Sequence, residues 1–105
     1  MKGEKRMKVF ISQPMKDKTD NDILSERIDA FALIKSAKPD AELIDSFIDE
    51  DINEKHPGLK YLSRSLELLD EADAVWMLKG WESTRGCKIE HDCAKAYGIP
   101  VYYLY

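Results

Sequence analysis

Residues 72–105 read "ADAVWMLKGWESTRGCKIEHDCAKAYGIPVYYLY", and the fold turns on how this stretch divides. Ala72–Leu78 is almost continuously apolar, the pattern of a strand buried on both faces of a parallel sheet. Gly80 breaks it, and Ser83 or Thr84 is placed to cap a helix from about Arg85 to Tyr97, which Gly98 ends. "IPVYYLY" then reads as a last strand, with Pro100 at its start, where a strand tolerates proline. Strand, helix, strand in this order is a crossover unit, which predicts parallel pairing and a right-handed connection.

The same alternation extends upstream. Met7–Ile11 is a short β-rich run stopped at Pro14. In "TDNDILSERIDAFALIKSA", Ile23, Leu24, Ile28, Phe31, Ala32 and Ile34 recur at helical spacing. Thr19 and Asp22 resemble a capping box, and Pro39 closes the helix. Ala41–Phe47 reads as the second strand and Leu59–Glu71 as a helix with Leu62, Leu66 and Leu69 inward. The order β-α-β-α-β-α-β predicts an α/β three-layer sandwich, Rossmann-like or flavodoxin-like, with a four-stranded parallel sheet in the order 2-1-3-4.

Composition bounds the function. The 105 residues are 44% hydrophobic and 34% charged, a composition for one globular domain, with residues 1–6 expected to be a flexible leader. Sixteen basic against twenty acidic residues leave a net charge of −4, so no field for binding a nucleic-acid polymer is expected. No apolar run is long enough to span a membrane and no signal-peptide core follows the N-terminal charges, so a cytoplasmic protein without a membrane partner is expected. Cys87 and Cys93, six apart on one helix, point away from each other and cannot form a disulfide together.

In open parallel sheets ligands collect beyond the carboxyl ends of the strands, where the strand order reverses. That places Ser12, Gln13, Pro14 and Met15 after the first strand. Gly80, Trp81 and Glu82 follow the third, and Thr84, Arg85 and Gly86 open the last helix. Asp45 and Ser46 fall nearby. Drawn as a wheel at about 100° per residue, the last helix is expected to turn Gly86, Ile89, Cys93, Ala96 and Tyr97 inward and Lys88, Asp92 and Lys95 outward. Glu90 then lies on the inner flank, facing the ligand end of the sheet. A carboxylate beside apolar walls, held ionised by nearby donors, is a nucleophile suited to an electrophilic sugar carbon. Glu82, Asp45 and the last strand's tyrosines are candidates for the accompanying proton donor. Trp81 could stack on a nucleobase, and Arg85 with Gly86 at the helix start could take an anion.

These residues carry a resemblance. Ala72, Asp73, Val75, Thr84, Gly86, Glu90, Ala94, Gly98 and Pro100 match the frame of the nucleoside 2-deoxyribosyltransferase-like superfamily, which includes 2'-deoxynucleoside 5'-phosphate N-hydrolases. "ISQPM", with Gly80, Trp81, Glu82, Thr84, Arg85, Gly86, Cys87, Ile89, Glu90 and His91, is similar more closely to DUF4406, a phage and bacterial family of unknown function usually placed in that superfamily. "VFISQPM" followed by the "SERIDAF" helix with Arg27 looks like the superfamily's first β-α unit. The resemblance implies one deoxyribosyltransferase-like domain over residues 1–105, with Glu90 as the nucleophile on C1' of a nucleoside or nucleotide. It also implies Ser12, Gln13, Pro14, Met15, Gly80, Trp81, Glu82, Thr84, Arg85 and Gly86 around the substrate, no cofactor, and a homo-oligomer. Three departures mark this chain: Ser12-Gln13-Pro14 replaces a glycine-rich turn, Met77-Leu78-Lys79 stands where relatives carry an acid, and Lys88 replaces a glycine. A non-catalytic nucleotide- or nucleotide-sugar-binding module, or an accessory domain using this face as a protein interface, are the competing readings.

The remaining features point less sharply. Cys87 and His91 have metal-ligand spacing, but without a second pair no metal is expected. The acidic run Asp45–Glu54 lacks the ordered spacing of a calcium loop. Tyr102, Tyr103 and Tyr105 put aromatics on both faces of the last strand, the expectation being contact with another subunit.

Overall fold

The computed structural model describes residues 6–46 and 55–105, so residues 1–5 of the expected leader, Phe47 at the end of the expected second strand, and Asp49, Glu50, Asp51 and Glu54 of the acidic run lie outside the described residues. Strands β1 (Met7–Ser12), β2 (Ala41–Leu43), β3 (Ala74–Leu78) and β4 (Val101–Leu104) alternate with helices α1 (Asp20–Ala37), α2 (Pro57–Leu69) and α3 (Arg85–Ala96). The sheet order is β2-β1-β3-β4 with every pairing parallel, as the alternation predicts. Among the described residues no helix is long and apolar enough to cross a membrane.

Two cores line the two faces of the sheet. Val9, Ile11, Ala74 and Trp76 pack with Ala30 and Ile34 of α1. Phe10, Val75 and Met77 pack with Leu69 of α2 and with Cys87 and Ala94 of α3. β1 and β3 are buried on both faces, so their continuous apolar runs are what a central parallel strand needs. Asp73 fixes their register at the entry: Lys8 N donates to its carboxylate at 2.8 Å, and Asp73 N donates back to Lys8 O at 2.8 Å.

Local chemistry sets the element ends. Thr19 caps α1, accepting from Asp22 N at 3.1 Å. α2 starts two residues before the expected Leu59, because Pro57 takes the first-turn position that lacks an amide requirement. β2 ends at Leu43, short of the expected strand; among the described residues that follow, Ile44 to Ser46, only the Ile44 amide still reaches β1, at Val9 O.

Both amphipathic faces differ from the expected wheels. α1 buries Ile23, Arg27, Ala30 and Ile34, while Leu24 and Ile28 are exposed. α3 buries Cys87, Glu90 and Ala94; Ala96 and Tyr97 face solvent. Gly86, Ile89 and Cys93 of the expected arc are half-buried, so the inward face is turned from it by less than one residue's step of about 100°. The reason is steric. Close approach of a helix to a flat sheet favours small side chains, and Cys87 and Ala94 supply them where the bulky Tyr97 would hold the helix away. Glu90 consequently sits within the inward face and not on its flank.

Candidate active site at the carboxyl end of the sheet

Side chains alternate along β1, so Ser12 shares the face of Phe10 and points toward α3. Its hydroxyl donates to Glu90 Oε1 at 2.6 Å, and both residues are buried. That length is typical of a hydroxyl bound to an ionised carboxylate. Burial raises the proton affinity of Glu90 above the ordinary glutamate value. Ser12, the Arg27 charge and a hydrogen bond from Ser65 pull against it without cancelling it. Cys87 is within hydrogen-bonding reach of Ser12, and burial pushes its thiol up to about 11, so it is a neutral packing group and not a nucleophile.

Gln13, the next residue, turns to α1. Its Nε2 donates to Ile23 O at 2.8 Å and to Glu26 Oε1 at 3.1 Å, and Glu26 is itself bridged to Lys18 at 2.9 Å. Its Oε1 accepts from Arg27 Nε at 3.2 Å. Ser12 and Gln13, expected to contact substrate, thus spend their hydrogen bonds on Glu90 and Arg27 and set the positions of those two groups.

Above Glu90 opens a cleft of about 390 Å³, within the range of small-molecule sites. Of the expected residues, Gln13, Met15, Thr84, Arg85, Gly86 and Glu90 line it. Pro14 instead lines a hollow on the α1 side, and Glu82 a shallow surface near Lys88. Gly80 is structural: at φ 95° it starts a 3-10 turn (Trp81–Ser83), and its carbonyl accepts from Ser83 N, Ser83 Oγ and Thr84 Oγ1. Trp81 does not line the cleft; it stacks on His91 at a centroid distance of 4.1 Å and donates to the Tyr105 hydroxyl at 3.2 Å. His91 meets Tyr103 at 2.8 Å, so it and Cys87 turn to different neighbours. Among the described residues no cluster of three histidine, cysteine or acidic groups could hold a metal.

The sequence reading missed Arg27, Tyr61 and Ser65, which with Ser46, expected nearby, complete the walls. Arg27 is the most unusual of them. It is buried, and its Nη1 and Nη2 have no hydrogen-bond partner among the described residues. A charged residue within an α1 apolar stripe was the available clue, visible once the stripe is read as 23-27-30-34. Ser46, Tyr61 and Ser65 carry no comparable periodic mark.

A hydrogen-bonded, desolvated carboxylate at the end of a parallel sheet can act as a nucleophile, a base or an electrostatic partner to a cationic centre. A search among curated proteins finds no match. The family model described as "Domain of unknown function (DUF4406)" matches residues 7–103, from the first residue of β1 to within β4. The chain belongs to this DUF4406 family.

Proposed function

We infer that the protein cleaves the N-glycosidic bond of a nucleoside or nucleotide, as a hydrolase or a 2-deoxyribosyltransferase-like enzyme, with Glu90 as nucleophile. The observation that carries this reading is the buried Glu90 carboxylate, bonded to Ser12 at 2.6 Å and open to a cleft at the carboxyl end of the sheet. The superfamily frame around Glu90, Ala94, Gly98 and Pro100 supports it. In the reaction a Glu90 oxygen attacks C1', the C1'–N bond breaks, and the base leaves with that electron pair and takes a proton from solvent. Water or a second base then displaces Glu90 from C1'. Ser12 and Ser65 favour the ionised form that attacks. Trp81, engaged with His91 and Tyr105, is left out of base stacking in this account.

A second reading, a non-catalytic nucleotide- or nucleotide-sugar-binding module, is favoured by one observation. Among the described residues lining the cleft, Glu90 is the sole carboxylate, so a partner acid for the leaving base is not at hand. Incubation with a panel of nucleosides and 5'-monophosphates, followed for free base, separates the two. Base release supports the enzyme; tight calorimetric binding without turnover supports the module; no binding by any compound overturns both.

The same reading includes self-association. Among the described residues, one face of the sheet carries α2 and α3, whereas the other carries α1. On that barer face Tyr102 stacks on Trp76 at 4.6 Å yet stays 43% exposed, and Leu33 of α1 is 62% exposed. A second copy covering Tyr102 and Leu33 would bury this apolar surface.

A further inference from the structure

The cleft inverts the charge of the molecule. The chain has twenty acidic and sixteen basic residues, yet the described lining holds Lys16, Arg27 and Arg85 against the single carboxylate of Glu90. Arg27 dominates this imbalance. It is 4% exposed, Gln13 fixes its Nε, and Nη1 and Nη2 find no hydrogen-bond partner among the described residues. Burial lowers its proton affinity and the charges of Asp45 and Glu90 raise it; a guanidinium stays protonated in either direction. Buried donors without acceptors are costly and rare, and a guanidinium fork matches the oxygens of a phosphate or carboxylate.

Two helix starts face the same opening. Gly58 in the first turn of α2 and Thr84–Gly86 at the start of α3 line the cleft. Neither helix has a side-chain cap or an acid in its first turn, whereas α1, which starts elsewhere, has Thr19, Asp20 and Asp22. The Thr84 hydroxyl that could have capped α3 is bonded to Gly80 O. Free amides and the positive ends of two helix dipoles are thereby left toward the cleft.

We propose that this cleft holds a phosphomonoester dianion on the Nη1 and Nη2 groups of Arg27, so that the substrate is a nucleoside monophosphate and not the free nucleoside. The substrate assignment rests on the glycosidic reading above; the anion site does not. Gln13 is a positioning residue here, acting through Arg27 Nε. Glu90 limits what the site accepts. An anion beside it disfavours a second negative charge, so the phosphate belongs toward Arg27 and the helix starts, with the sugar between it and Glu90.

The test is calorimetry at low ionic strength on the full chain and on Arg27→Met and Arg27→Lys. Probes are a nucleoside, its 5'-monophosphate, ribose 5-phosphate and inorganic phosphate. Wild type is expected to bind the monophosphate at least tenfold tighter than the nucleoside. It is also expected to bind ribose 5-phosphate and, more weakly, inorganic phosphate. In Arg27→Met the monophosphate-to-nucleoside ratio falls toward one; in Arg27→Lys, with its charge kept and its fork lost, it is intermediate. Methionine removes an unpartnered buried charge, so the variant is expected to melt no lower than wild type; if it fails to fold, the lysine variant carries the comparison. Equal wild-type affinity for nucleoside and monophosphate, or a preference that survives loss of the guanidinium, overturns the proposal. Phosphate binding without base release leaves the anion site standing and the glycosidic reading failed, and base release without phosphate preference does the reverse.

Discussion

The Ser12 hydroxyl and the Glu90 carboxylate meet at 2.6 Å although 78 positions separate them in sequence. One comes from the last residue of β1 and the other from the middle of α3, so the bond exists only when the crossover packs on the sheet. Ser12→Ala removes this donor and leaves Glu90 less supported as an anion. The expected loss is about 1.5–3 kcal/mol where Glu90 is ionised, since the bond is to a charged group, and less where it is protonated. Because Ser12 lowers the proton affinity of Glu90, the acid limb of any activity profile should move to higher pH. Denaturant unfolding at acid and neutral pH, with a pH–rate profile, checks both.

Glu90 itself should lower stability at neutral pH. Its folded proton affinity is raised above the ordinary value of 4.5. For a raised carboxyl the stabilising contribution is complete below the unfolded value and is lost as pH climbs through the folded one. Glu90→Gln should therefore be more stable than wild type at neutral pH, by about 0.5–2 kcal/mol as for other substitutions that relieve a functional site. The advantage should vanish below about pH 4.5. A variant equally or less stable at neutral pH would show that the surrounding donors outweigh desolvation.

Gly80→Ala tests the turn that delivers α3 to the cleft. At φ 95° an alanine is strained, and the left-handed conformation costs about 1–2 kcal/mol for a residue with Cβ. Pro14 Cγ, 3.5 Å from the added carbon, permits the substitution sterically, so the loss is conformational. Thermal unfolding should show it.

Much of the architecture was legible in the sequence because it rests on coarse features. The apolar run Ala74–Leu78 between helical segments points to a parallel sheet, and the expected order 2-1-3-4 is the order found. The rotational setting of the helices was less legible. Counting apolar residues favours Tyr97 and Ile28, whereas close packing on the sheet selects Ala30, Cys87 and Ala94. Glu90 could be singled out because an acid near an apolar stripe is anomalous. Tyr61 and Ser65 could not, since polar residues on a cleft wall have the same pattern as polar residues facing water, whereas Ser46 was placed nearby by its position at the end of the expected second strand.

Self-association gives a further prediction. Tyr102→Glu places a charge beside Trp76 on the barer face of the sheet. In sedimentation velocity wild type should run as more than one chain and the variant as a single chain, with unchanged far-ultraviolet circular dichroism. A wild type that stays monomeric at high concentration refutes the proposed interface.

If Glu90 attacks the sugar carbon, base release depends on its carboxylate oxygen. Wild type and Glu90→Gln, both shown folded by thermal unfolding, should be given the same 5'-monophosphate or nucleoside at neutral pH. Wild type is expected to release base, and the glutamine variant to do so roughly a thousandfold or more slowly, as for removal of a catalytic nucleophile. Release of base by Glu90→Gln as fast as by wild type would contradict attack by Glu90.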